Sequence, residues 1–133
     1  MQVEIAVVAD AANVSQEGKL NITGIFDNIT TAAMPMHWPF FVLVLRLRAM
    51  AGEKGRNQII NVILIDQDGK TIHRLPEVQL QLPSDAPGTS GVIPLVFGVA
   101  NLEFQSFGEY RFEILLNGNQ IKGIPLTITQ RGE

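Results

Sequence analysis

The stretch Gly108-Glu109-Tyr110-Arg111-Phe112-Glu113-Ile114-Leu115-Leu116-Asn117-Gly118 decides the fold. Tyr110, Phe112, Ile114 and Leu116 fall on one side of an extended chain, and Glu109, Arg111 and Glu113 on the other. A period of two is the mark of a strand with one buried face. Asn117-Gly118 is the strongest short signal for a tight hairpin, because both central residues of a type I′ turn need positive φ. Asn119 to Thr129 then returns, with Ile121, Ile124, Leu126 and Ile128 as its apolar members.

The same period runs upstream. Phe40 to Ala49 predicts a strand with Phe41, Leu43, Leu45 and Leu47 on one face. Its other face, Phe40, Val42, Val44, Arg46 and Arg48, changes from apolar to cationic halfway along. Asn57 to Asp66 is β-branched and apolar on both faces, so a central strand is expected there. Asp66-Gln67-Asp68-Gly69 is a turn, and Lys70 to Leu75 and Val78 to Leu82 follow as strands. Lys19 to Phe26 alternates, with Leu20, Ile22, Gly24 and Phe26 on one side. Val3 to Val8 predicts a first strand, Asp10 to Gly18 a polar loop or helical turn, and Thr30 to Ala33 a short edge piece. Met34 to Pro39 holds two prolines and reads as extended and irregular. Pro83 to Gly91 is the densest cluster of breakers and reads as a loop. In Val92 to Leu102, Pro94 points to an edge strand or a bulge. Eight to nine short strands without a helix predict an all-β, single-domain antiparallel sandwich over residues 1–133.

Composition agrees and excludes several classes. Of 133 residues 46% are hydrophobic and 17% charged, the opposite of a disordered chain. The chain has no cysteine, which removes disulfides, thiolate metal sites and thiol nucleophiles. A formal charge of −3 offers no general attraction to nucleic acid or anionic lipid. The first basic residue is Lys19, and Glu4 and Asp10 break the first apolar run, so no secretory leader is read. No apolar run approaches a membrane span. A cytoplasmic location is therefore expected. The sequons at Asn13, Asn21 and Asn28 then reflect strands and turns rich in Asn and Thr.

Two resemblances follow. Phe107-Gly108-Glu109-Tyr110-Arg111-Phe112-Glu113-Ile114, Asn117-Gly118 and Ile124-Pro125-Leu126-Thr127-Ile128 resemble the closing hairpin of immunoglobulin-like sandwiches. Val7-Val8-Ala9-Asp10, the run Gly18 to Asp27, and Pro35 and Pro39 before an apolar strand are similar to a family of small uncharacterised bacterial proteins. The first implies an immunoglobulin-like fold and the second a bacterial origin. Neither implies site residues.

Chemistry-bearing constellations are sparse. His37 and His73 share no ligand spacing, so each reads as a surface or rim residue. Asp66-x-Asp68-Gly69 matches the start of a calcium loop, but the full loop needs a third acid before the glycine and a Glu some six positions after it. Lys70 and Arg74 are the wrong charge for a cation site, so a solvated hairpin turn is read. Convergence of Asp27, Asp66, Asp68 and Asp85 from separate loops is the other way to a cation site. Ser84, Thr89 and Ser90 sit near Asp85 without a histidine in motif relation. Gly88-Thr89-Ser90-Gly91 lacks the lysine and helix of a phosphate loop. Glu109 and Glu113 are expected to ladder with Arg46 and Arg48 on a neighbouring strand. Arg46, Arg48, Lys54 and Arg56 form a basic cluster that Glu53 and the negative total oppose as a nucleic-acid groove. No cofactor, metal or catalytic set is read, and no nucleic-acid or membrane partner.

What remains is apolar surplus. A sandwich buries one face of each sheet, yet the strands from Phe40 and Asn57 are apolar on both. Part of Phe40, Val42, Val44, Ile59, Ile63 and Ile65 must be covered by Met34–Pro39, a long loop or another subunit. Met34, Met36 and Trp38 suit irregular gaps or an interface. The expected function is a non-enzymatic module acting through protein contacts, as a homo-oligomer or a subunit of a bacterial or phage-like assembly. Its expected surface is Met34, Met36, His37, Trp38, Phe40, Val44, Ile59 and Ile63. The alternative is a sandwich that binds a sugar or other small molecule near Trp38, His37, Tyr110 and the Pro83–Gly91 loop.

Overall fold

Two β-sheets enclose one continuous apolar layer in the computed structural model, which describes residues 1–50, 52–53, 55–81 and 91–132. The strands are β1 (Gln2–Val14), β2 (Leu20–Phe26), β3 (Asn28–Thr31), β4 (Met36–Arg48), β5 (Asn57–Ile65), β6 (Thr71–Arg74), β7 (Val78–Gln81), β8 (Val92–Phe104), β9 (Gly108–Leu116) and β10 (Asn119–Gln130). The first sheet runs β2-β1-β4-β8, and the second runs β3-β10-β9-β5-β6. β7 also pairs with β5, along the edge that β6 occupies further on.

The expected sandwich is present, with two adjustments. Ten strands are formed among the described residues, and β1 is longer than expected: the segment from Asp10, read as a polar loop or helical turn, continues it to Val14 and pairs with β2. One ladder is parallel: β3 runs alongside β10, from Asn28 beside Thr127 to Thr31 beside Gln130. The reason is that Asp27-Asn28 carries the chain from one sheet to the other instead of folding it into a hairpin. The Thr127 N–H donates to the Asp27 carbonyl at 2.9 Å and the Thr129 hydroxyl to Asn28 Oδ1 at 2.7 Å, anchoring that crossing.

The pairing pattern is that of an immunoglobulin sandwich. β4 and β8 stand together as strands B and E do, and β5, β9 and β10 as C, F and G, with β6 beside β5. A tyrosine corner accompanies it. Near the start of β9 the Tyr110 hydroxyl donates to the Ser106 carbonyl at 2.7 Å, and the Tyr110 ring meets Phe104 edge-on at 4.9 Å.

The core follows the alternation. Phe41, Leu43, Leu45 and Leu47 from β4 face Ile60, Val62 and Leu64 from β5 and Phe112 and Ile114 from β9, all of them inaccessible to solvent. Each contributes about 1.5–3 kcal/mol by leaving water. Phe41 joins the sheets, with ring centroids 6.0 Å from Phe112 and 6.1 Å from Phe26.

The closing hairpin takes the predicted turn. Asn117 and Gly118 have φ of 50° and 85°, and Asn119 pairs with Leu116. Asn117 also ties the hairpin to β5. Its N–H donates to the Ile59 carbonyl at 2.8 Å, and its Oδ1 accepts from the Ile59 N–H at 2.9 Å. Its Nδ2 donates to the side chain of Gln58, a buried polar residue. β5 is central as predicted, with β9 on one side and β6 and β7 on the other. Pro94 lies on β8, at the end of its sheet's strand order, as its missing N–H predicts.

Candidate functional site

Only one face of β4 enters the core, so the surplus of β4 lies on the outer face of the first sheet. Three consecutive strands bring Ile25, Ala9 and Val42 into register, and Val42 lies beside Gly98. This makes an apolar rung across all four strands. The next rung is Val7, Val44 and Val96. Ala9, Val42 and Val44 form a second buried cluster, apart from the main core, with Val7, Ala12, Leu20 and Ile22 packed against it. Val42 and Val44 are shielded by neighbours on their own sheet. Around them Ile25 is 62% exposed, Phe40 53% and Val96 37%. Single exposed apolar side chains are ordinary, but three on one face form a patch.

Two local features shape the patch. The Phe40 ring lies over Gly98, where a Cβ would stand 3.3 Å from Phe40 Cε2. Glycine thus leaves room for the ring to reach over the edge strand β8. At Gly24, φ is 72° and the Asp10 side chain fills the place of a Cβ. Beyond this rung the alternation changes phase: Phe26 packs in the main core, whereas Ile22 and Leu20 join the second cluster. The expectation that Leu20, Ile22 and Phe26 share one side is corrected here. A residue in the left-handed region breaks the pleat that a period of two assumes.

The ends of the face are charged. Arg46 Nε and Arg48 Nε donate to the two carboxylate oxygens of Glu4, at 3.0 and 2.7 Å. The ladder shifts register between Val3 and Ile5, beside that contact. The Arg48 hydrogen bond is the largest influence on Glu4, and with the nearby Arg46 it holds the carboxyl below its ordinary pKa. The predicted partnership of Arg46 and Arg48 with Glu109 and Glu113 is overturned, because β4 and β9 belong to different sheets. Glu113 instead accepts from Gln120 and lies 3.8 Å from Arg111. At the other end of β4, His37 Nε2 is 3.4 Å from Glu103 of β8, and both are exposed.

The eight residues expected to form one surface are divided among three places. Phe40 and Val44 lie on the outer face of the first sheet, Val44 buried and Phe40 exposed. Met34, Met36 and Trp38 pack against the main core, with Trp38 6.2 Å from the Phe26 ring, so Met34–Pro39 does not cover the outer face. His37 pairs with Glu103 beside them. Ile59 and Ile63 belong to the second sheet and are half-buried. Ile63 lies between Arg74 and Glu113, whose long side chains flank it. Ile25 and Val96 were missed. Their neighbours Gly24 and Pro94 hid the pattern, and cross-strand register is needed to bring them together.

A second feature is a cavity of about 370 Å³ beside the Asp66–Gly69 turn, lined by Ile65, Gln67, Glu109, Arg111 and Thr127 among others. The Asp66 carboxylate near it is engaged in the turn, accepting from the Asp68 and Lys70 N–H groups at 2.9 Å each. Among the described residues no three His, Asp or Glu side chains gather as metal ligands would. Lys54, Ser84, Asp85, Gly88, Thr89 and Ser90, named as candidates from the sequence, lie outside the described residues. Among the described residues no helix is long and apolar enough to cross a membrane.

Fold and face together define an immunoglobulin-like sandwich with an apolar outer sheet face. The chain belongs to DUF6941, a family of unknown function, whose model matches residues 4–129. No curated protein matches it. Among solved structures it is similar to an immunoglobulin-like protein from Pseudomonas aeruginosa, at 14% identity and a TM-score of 0.42, covering 91% of this chain and 95% of that one.

Proposed function

We propose that this protein is a non-enzymatic binding module of the bacterial cytoplasm, acting through protein–protein contact as a subunit of an assembly. Its docking surface is the outer face of the β2-β1-β4-β8 sheet. The observation that carries the reading is the grouping of exposed Ile25, Phe40 and Val96 around the buried Val42–Val44 strip. Apolar area of this kind gains free energy when a partner removes it from water. Site-specific photo-crosslinking in cells tests it. A photoreactive residue at Ile25 should yield a crosslinked protein product, and one at exposed Gln79 on the second sheet should not. Equal yields, or none from Ile25, overturn the reading.

The second reading, a small-molecule site, rests on the cavity near Arg111 and Glu109. It predicts NMR shifts confined to residues 65–69 and 109–111 on titration with a metabolite or glycan panel. An unchanged spectrum across the panel sinks it.

A further inference from the structure

The charges flanking the apolar face are arranged so that the face complements itself. Along β4 the outward side runs from Arg48 and Arg46, through Val44, Val42 and Phe40, to His37 beside Glu103. Two arginines share the single Glu4 carboxylate at one end, which leaves that end cationic. A carboxylate, Glu103, stands at the other. The midpoint between Arg46 and His37 falls near the Val42–Gly98 rung.

We propose that the occupant of this face is a second copy of the same chain, packed face to face with the two β4 strands antiparallel. This rests on the docking surface proposed above and names its partner. A two-fold axis in the plane between the copies, across the strands and level with Val42, brings each Arg46 to the partner's Glu103. The same operation lays each Phe40 over the partner's Val42 and Val44. An isologous contact requires such self-complementarity, and a face with one kind of charge at both ends would lack it. Sheets packed in this way keep their strands within about 30° of alignment, as in a sandwich core.

The size of the face makes the contact a small one. From His37 to Arg46 it is about 30 Å long at 3.3 Å per residue, with strands about 4.8 Å apart. β4 has only β8 beside it up to Phe41, all four strands lie together at Val42 and Leu43, and β1, β4 and β8 continue to Arg46. Each copy then offers on the order of 430 Å², and the pair about 900 Å², the size of a weak, reversible contact. A reversible dimer with a dissociation constant on the order of 10 µM is expected. Pairing through the edge of β8 is the weaker arrangement, because Pro94 and the left-handed Asn101 interrupt its ladder.

Sedimentation of the full chain over a concentration series up to about 0.5 mM, roughly fifty times the expected constant, tests this. The wild-type chain should dimerise. Arg46→Glu and Glu103→Lys, both at accessible positions, should each weaken dimerisation roughly fivefold or more, with unchanged circular dichroism. Mixing the two variants should restore wild-type affinity, because the heterodimer pairs Glu with Lys at one contact and Arg with Glu at the other. A wild-type monomer throughout, or a mixture that associates no better than either variant alone, overturns the proposal. A crosslink from Ile25 to a protein of another mass, with the wild type monomeric, would overturn self-association while leaving the docking surface standing.

Discussion

Pro39 on β4 and Asn101 on β8 occupy the same rung, between the pairs Trp38–Leu102 and Phe40–Ala100, and both strands change phase there. On one side Phe41, Leu43, Val99 and Phe97 are buried at odd positions. On the other, Leu102 and Phe104 are buried at even positions, and Trp38 and Met36 pack with them. Asn101 has φ of 52°, and Pro39 has no N–H to give to a ladder. The paired irregularity lets one long ribbon contribute to the core along its whole length, while Pro39 and Phe40 stay outside.

Asn101 therefore has a conformational task. Asn101→Gly should unfold within about 0.5 kcal/mol of the parent, because glycine enters the left-handed region freely. Asn101→Val should cost about 1–2 kcal/mol, since a β-branched side chain opposes that conformation. Urea denaturation of both variants gives the comparison, and equal midpoints would contradict this role.

At the closing hairpin, Asn117 does two things that substitution can separate. Asn117→Gly keeps the turn but removes the side-chain bonds to Gln58 and Ile59. Asn117→Ala loses both those bonds and the residue's tolerance of positive φ. Each should destabilise by about 1–3 kcal/mol through unpaired polar groups, with the alanine variant about 1 kcal/mol worse. Thermal unfolding reads the order, and a reversed order would mean that the turn conformation contributes little.

Removing the hydroxyl in Tyr110→Phe leaves the ring contact with Phe104 and deletes the hydrogen bond to the Ser106 carbonyl. The expected loss is about 1–2 kcal/mol, with the fold retained. Amide exchange should quicken around Ser106 and stay unchanged in the β1–β4 ladder. Uniform acceleration would show that the corner does not act locally.

Acid should weaken the Glu4 contact in a defined sense. The Arg48 hydrogen bond and both arginine charges lower its carboxyl pKa in the folded chain. Its stabilising contribution is therefore fully present above the unfolded value of about 4.3 and is lost as pH falls through the lower folded value. Comparing the urea midpoint of the parent and Glu4→Gln between about pH 6 and pH 2 isolates it. The difference should shrink as acid is added, and a constant difference would remove Glu4 as its source.

Much of the architecture was legible in the chain. The alternation of Tyr110, Phe112 and Ile114, the Asn117-Gly118 turn and the inward face Phe41 to Leu47 are local patterns, and period two determines which side chains can share a face. The apolar surplus on Val42 and Val44 was visible for the same reason, since a strand of this kind has only two faces to occupy. Phase changes at Gly24 and at Pro39–Asn101 were not legible, because a positive φ in one strand has its effect on the pairing of two. Nor could sequence alone separate Phe40 and Val44 from Ile59 and Ile63, or give Arg46 and Arg48 to Glu4 in place of Glu109 and Glu113. Those outcomes depend on which strands share a sheet, a choice made by long-range pairing. The sequence by itself determined a β-sandwich with more apolar strand than one core consumes. Tertiary structure alone decided that Phe40, Val42 and Val44 meet Ile25 and Val96 on one outer face, with cations at one end and a carboxylate at the other, while Ile59 and Ile63 lie on the other sheet.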